Sequence, residues 1–213
     1  MKPSSQAIID EYIARYPSLL SCKASICSAA NLLFTAFYSG KKLLICGNGG
    51  SASDSLHIVG ELMKSFTLPR PISPTEATFL HKISSNGAFL AAHLQQALPA
   101  IALVEETSLH TAYANDVAPQ LCFAQQVYGY GNPGDVLLCI STSGNSENVV
   151  YAAETAKLKQ MQTIALTGSC GGRLFQTADI CIEVPAKKTH EVQEFHLPVY
   201  HCLCLVLEHE FFA

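Results

Sequence analysis

Two apolar runs, Leu43-Leu44-Ile45-Cys46 and Val136-Leu137-Leu138-Cys139-Ile140, each break off into a loop of small polar residues and then pass into a helical pattern. The first loop is Gly47-Asn48-Gly49-Gly50-Ser51 and the second is Ser141-Thr142-Ser143-Gly144-Asn145-Ser146. A strand, a tight turn and a helix N-terminus make an anion site. Glycine lets the backbone come close, the amides point outward, and the helix dipole favours negative charge. Further strand-type runs at 99–104, 163–166 and 180–184 alternate with helical stretches. The pattern predicts an α/β fold, a five-stranded parallel sheet flanked by helices on both faces. In such sheets ligands bind at the carboxyl ends of the strands, so both loops fall on the binding edge.

At 213 residues the chain suffices for one domain with a sizeable core. Residues 1–40 are expected to form an N-terminal helical arm. Ile8, Ile9, Tyr12 and Ile13, then Ile26, Ala29, Leu32, Leu33 and Phe37, recur at helical spacing around a break at Tyr16-Pro17-Ser18. Residues 41–213 are expected to form the α/β core. Within it, about 67–98 reads as an irregular excursion, with Pro69, Pro71 and Pro74 in its first half and some helix in its second. The stretch 189–212 reads as a helix, kinked or opened by one turn at Pro198.

Hydrophobic residues make up 49% of the chain and charged residues 14%, a balance that points to surface buried between subunits. A net charge of −4 leaves no basic footprint for nucleic acid. No uninterrupted apolar run reaches the roughly 18–20 residues of a membrane helix. The opening MKPSSQAIIDEY lacks the apolar segment of a signal peptide. A cytoplasmic protein is expected, with neither nucleic acid nor membrane as partner. The nine cysteines are odd in number, lie mostly in apolar runs and include no Cys-x-x-Cys. They read as buried free thiols in a reducing compartment.

Four hydroxyls in six residues (Ser141, Thr142, Ser143, Ser146) can each donate to an oxyanion, and the helix behind them adds backbone donors. The alternative is an ordinary serine-rich turn with an N-cap. No GxxxxGK[ST] is present, and Gly47, Gly49 and Ala52 fit only a loose GxGxxA, so no nucleotide cofactor is expected. His57 and Glu61, four apart, share a helix face. The last helix offers Gln193, His196 and His201. Gln193 and His201 are eight apart, about 80° around an ideal helix, and can face one point. His190 and His209 read as surface residues. Two histidines, a glutamate and a glutamine suit a borderline divalent ion such as zinc, or proton transfer without metal.

These features together resemble the SIS (sugar isomerase) family of phosphosugar-binding proteins, and most of all its sedoheptulose-7-phosphate isomerase branch. GNGGSAxDxxHxxxE matches at Gly47 to Glu61, an Asn-Asp pair at Asn115-Asp116, STSGNS at Ser141 to Ser146, and QExHxxxxH at Gln193 to His201. The resemblance implies a flavodoxin-like three-layer sandwich and an aldose–ketose isomerase. It implies phosphate binding by Ser141, Thr142, Ser143 and Ser146, and sugar contacts from Asn48, Gly49, Gly50, Ser51, Asn115 and Asp116. Glu61 and His201 become the implied acid/base pair. Zinc is implied at His57, Glu61, Gln193 and His201, and a homotetramer with sites at subunit interfaces. Two departures stand near this site. Ser65 occupies the place of the branch's arginine, with Lys64 beside it, and the 67–98 segment is longer than usual. They leave room for a rival reading, a non-catalytic phosphosugar sensor or partner-binding protein of the replication-initiator-associated type. A lyase or isomerase acting on an amino-sugar phosphate is a third, less favoured because no amine or lactyl pocket is suggested.

Overall fold

The computed structural model describes residues 2–213. The chain begins with α1 (Pro3–Arg15), a 3-10 segment (Pro17–Cys22) and α2 (Lys23–Tyr38). β1 (Leu43–Gly47) and α3 (Gly50–Met63) follow, then α4 (Pro74–Ile83), α5 (Gly87–His93) and β2 (Ala100–Ala102). Next come α6 (Thr107–Asp116), α7 (Cys122–Tyr130), β3 (Val136–Ser141) and α8 (Glu147–Leu158). β4 (Gln162–Thr167), α9 (Gly172–Thr177), β5 (Ile180–Glu183) and α10 (Thr189–Phe212) complete it.

The five strands are parallel, in the order β2-β1-β3-β4-β5. Every residue of β1 and β3 is buried, as a sheet covered on both faces requires. Alternate side chains feed two cores. Leu43, Ile45, Leu138, Ile140 and Ile164 join the arm helices and α10 on one side. Leu44, Cys46, Leu137, Cys139 and Ala165 join α7 and α8 on the other. The chain order reverses between β1 and β3, and the crevice there is where such sheets bind ligands.

Pro17–Tyr38 is long and apolar enough by composition to cross a membrane. In the fold it is a core element, with Ile26, Ala29, Ala30, Leu33 and Phe37 buried. The excursion is more regular than its prolines suggested. Pro74 occupies the first turn of α4, where no amide is needed, and a capping box closes that turn: Glu76 N–H donates to Ser73 Oγ, and Ser73 N–H donates to Glu76 Oε2. Gln96 N–H donates to the Arg70 carbonyl and a Pro71–Gln95 bridge ties the base of the excursion. α10 runs unbroken through Pro198, so the expected opening of a turn is absent.

Candidate active site

Gly47 ends β1, and the turn that follows needs Gly49 at φ +54°, a conformation side chains rarely adopt. α3 then starts at Gly50. Across the crevice, Gly144 turns the second loop at φ +65°, with a Cβ there falling 1.9 Å from the Gly171 carbonyl. Both loops line one cavity of about 340 Å³, together with Thr189 and Gln193 at the start of α10. Asn48, Gly49, Gly50, Ser51, Ser141, Thr142 and Ser146 all face it. Three helices, α3, α8 and α10, therefore begin at its wall, a concentration of free amides suited to an anion. A larger cavity of about 510 Å³ lies between 65–71 and 91–95 and holds none of the phosphate-loop or acid/base residues.

The hydroxyls are not equivalent. Ser141 Oγ and Ser146 Oγ lie 3.1 Å apart, and Ser146 makes no side-chain cap bond, so both can turn to a ligand. Ser143 Oγ instead accepts the Asn145 N–H at 3.1 Å, and it lies outside the cavity wall. Asn48 forms a reciprocal amide pair with Asn148, at 2.9 and 2.8 Å, which ties the first loop to α8. Asn115 and Asp116 end α6, exposed and hydrogen-bonded to each other at 2.8 Å; they do not line the cavity.

Farther along α3 lies the second half of the site. His57 is about 10 Å from Gly50 along the axis, at 1.5 Å per residue. His57 Nε2 is 3.3 Å from Glu61 Oε1 and 3.4 Å from His201 Nε2. Glu61 Oε2 is buried with no hydrogen-bond partner; Lys64 Nζ stands 3.5 Å away, a cation where Ser65 supplies none. Burial, aided by the nearby His57, lowers the His201 pKa below the ordinary imidazole value. A neutral His201 can then accept a proton. Arg70 donates to the Glu61 and Leu62 carbonyls at 3.1 and 2.8 Å, and fixes the end of α3.

Gln193 does not join this cluster. It lies over Gly50, where an added Cβ would come within 2.4 Å of its Nε2. The angle around α10 matches, but eight residues also advance about 12 Å along the axis. Among the described residues, no three His, Cys, Asp or Glu side chains are grouped so that they could hold a metal ion as they stand. The pairwise separations at His57 nonetheless approach those of a metal site. Ligands about 2.0–2.1 Å from a tetrahedral zinc lie roughly 3.3–3.4 Å from one another, and zinc takes this mix of imidazole nitrogen and carboxylate oxygen. The two separations at His57 match that spacing.

His196, on the same helix, is fully buried with neither ring nitrogen partnered. Burial holds its pKa down at about 4. The unfolded chain binds this proton below about pH 6.5, while the folded chain does not until about 4. Stability should fall as pH drops through that window, by on the order of 3 kcal/mol in all. Urea denaturation of His196→Gln should show a shallower fall over the same range; equal slopes would remove His196 as the cause.

Sequence reasoning passed over Asn148, Thr189, Arg70 and Tyr200 as partners of the site, and noted Asp54 and Lys64 beside it without giving them a role. Thr189 carried a signal, since it opens the helix that bears Gln193. Asp54 and Lys64 stand three residues along the chain from His57 and Glu61, whereas Asn148, Arg70 and Tyr200 act through contacts that no spacing announces.

Residues 87–168 match the SIS domain. The phosphoheptose isomerase of Akkermansia muciniphila is 36% identical over 198 residues, spanning 93% of this chain and 92% of that protein. That of Thiobacillus denitrificans is 43% identical over 178 residues, spanning 82% and 78%. Among solved structures, phosphoheptose isomerase from Francisella tularensis superposes with a TM-score of 0.73 at 31% identity, covering 94% of this chain and 97% of its own. The Neisseria gonorrhoeae enzyme gives 0.70 at 30% identity, covering 94% and 98%.

Proposed function

The chain belongs to the phosphoheptose isomerase family of SIS-domain proteins, and from that premise we propose that it interconverts sedoheptulose 7-phosphate and its aldose isomer in the cytoplasm. The observation that carries this is the pairing of two features on α3: an anion cavity at its N-terminus, and Glu61 with His57 and His201 farther along it. The separation suits a phosphosugar longer than a triose, bound by its phosphate at one end and reacting at the other.

Ser141, Thr142 and Ser146, with Thr189 and the helix amides, hold the phosphate. Binding that remote group supplies the orientation on which the chemistry depends. Glu61 Oε2, buried and unpartnered, takes the proton from C1 of the ketose. The C2 carbonyl electron pair moves onto O2 and a cis-enediolate forms. Neutral His201 takes the proton from O1 and gives one to O2, and Glu61 returns its proton at C2. In a metal-loaded form His57, Glu61 and His201 would hold the zinc ion, which would supply Lewis acidity toward a substrate oxygen in place of the His201 proton transfers. Glu61 Oε1 is the oxygen turned to His57, which leaves Oε2 for the proton.

The same reading includes a homotetramer with sites completed between subunits. It is supported by Asn115 and Asp116 lying outside the cavity of their own chain and by exposed Phe79 and Phe89. Purified protein should convert sedoheptulose 7-phosphate to an aldoheptose phosphate, followed by NMR of the anomeric signals, and light scattering should give a tetrameric mass. Loss of turnover on chelation would establish the metal. Absence of turnover, with the sugar phosphate still raising Tm, would replace the isomerase by a sensor.

A further inference from the structure

The side of His57 turned away from Glu61 is held by two groups that the isomerisation steps do not use. Tyr200 Oη lies 3.0 Å from His57 Nδ1 and 3.4 Å from Asp54 Oδ1. Asp54 and His57 sit three apart on α3, while Tyr200 precedes His201 on α10, so the contact joins the two helices that carry the acid/base groups. Tyr200 is 2% exposed, and an ordinary phenol, with a pKa of about 10, is protonated at neutral pH. The hydroxyl keeps its proton, and a carboxylate is its strongest available acceptor.

With the Tyr200 O–H donating to Asp54 Oδ1, an oxygen lone pair faces His57 Nδ1. Nδ1 must then carry hydrogen and donate it, which leaves Nε2 as a bare lone pair. That lone pair meets Glu61 Oε1 and His201 Nε2 at 3.3 and 3.4 Å. Electron-rich atoms so placed call for a proton or a cation between them. An unconstrained neutral imidazole favours hydrogen on Nε2, so this arrangement needs an imposed partner at Nδ1.

We propose that Asp54 and Tyr200 are positioning residues for the reaction: the chain Asp54–Tyr200–His57 fixes His57 as its Nδ1–H tautomer and aims the Nε2 lone pair at the point shared with Glu61 and His201. The proposal rests on the isomerase reading of that cluster, since it assigns His57 a task only if the cluster handles protons or metal.

The test is nitrogen-15 NMR of histidine-labelled protein at about pH 8.5, some two units above the ordinary imidazole pKa, with His57 assigned by loss of its signals in His57→Gln. The wild type should show His57 as the Nδ1–H tautomer, and Tyr200→Phe should shift it toward Nε2–H. Titration with zinc alone should give roughly 10–100-fold weaker binding for Tyr200→Phe and for Asp54→Asn, the usual effect of losing a partner behind a metal ligand. A wild-type Nδ1 without hydrogen, or a tautomer unchanged in Tyr200→Phe, overturns the relay. The tautomer is read without substrate or metal. If sedoheptulose 7-phosphate is turned over but the tautomer does not respond, the relay falls and the isomerase stands. If the tautomer responds but no turnover occurs, the relay stands and the reaction assignment falls.

Discussion

Glu61→Gln should lower kcat by about 10²–10⁴-fold, the range typical of a lost acid/base group, while phosphosugar binding survives. Two features of the site separate these effects. The phosphate cavity is built from the loops after β1 and β3 and the start of α10, and Glu61 does not line it. The Glu61 side chain makes little else: Oε1 faces His57, and Oε2 has no hydrogen-bond partner, with only the exposed Lys64 Nζ 3.5 Å away. Replacing the carboxylate with an amide of the same shape therefore breaks no hydrogen bond needed by the fold, loses only a solvent-screened ion pair, and removes a largely buried charge. The variant's Tm should equal or exceed that of the parent, and the ligand-induced rise in Tm should persist. Full residual turnover would end the assignment of Glu61 as base. Lost turnover with lost ligand stabilisation would mean that Glu61 shapes the phosphate site.

Glu208→Gln should destabilise the fold by about 3–5 kcal/mol, the usual result of breaking a buried ion pair from one side. Arg70 and Glu208 are both fully buried, with Arg70 Nη2 at 2.8 Å and Nε at 2.9 Å from Glu208 Oε1. Glu208 also accepts the Phe66 and Thr67 N–H groups, each at 2.8 Å, and the Thr67 hydroxyl at 2.6 Å. Burial works to raise the Glu208 pKa, but these donors outweigh it and hold the carboxyl below the ordinary value. A glutamine there presents its own N–H hydrogens to donors, and leaves the guanidinium without its counter-charge. Arg70→Met should cost less, because the carboxylate keeps three donors. Adding Glu208→Leu to Arg70→Met removes the remaining charge but takes the acceptor from the Phe66 and Thr67 donors, so the double variant should still be destabilised, by less than the sum of the two single changes. Urea titrations of the variants decide it; a cost below about 1 kcal/mol for Glu208→Gln would show the pair to be well hydrated. Activity is a second readout. Arg70 also binds the Glu61 and Leu62 carbonyls, so Arg70→Met should lower kcat even where the protein remains folded.

The Arg70–Glu208 clasp marks one limit of what a single sequence reveals. Its partners are 138 residues apart, and nothing in the local pattern around either foretells the other. The excursion marks a different limit. The prolines at 69, 71 and 74 read as irregular chain, yet Ser73-Pro74-Thr75-Glu76 held a helix start in plain view, a capping residue followed three positions later by glutamate. That signal was local and legible. Gln193 and His201 fall in a third class: the expectation that they face one point used their angle around α10 alone, which discards the rise of about 12 Å between them along the axis.

The sequence by itself determined the alternation of strands and helices, the parallel sheet and the loops on its binding edge. Those follow from apolar runs buried on both faces and from glycine and hydroxyl turns, which are properties of short segments. The tertiary structure alone decided that β1 lies beside β3, so that the two loops close one cavity. It alone brought His201 to His57, held Asn48 against Asn148, and set Tyr200 and Asp54 behind the imidazole. Each of these contacts spans far more chain than any periodicity covers. They are chosen by how whole elements pack, because side chains of a few ångströms' reach meet only after the backbone has been brought together.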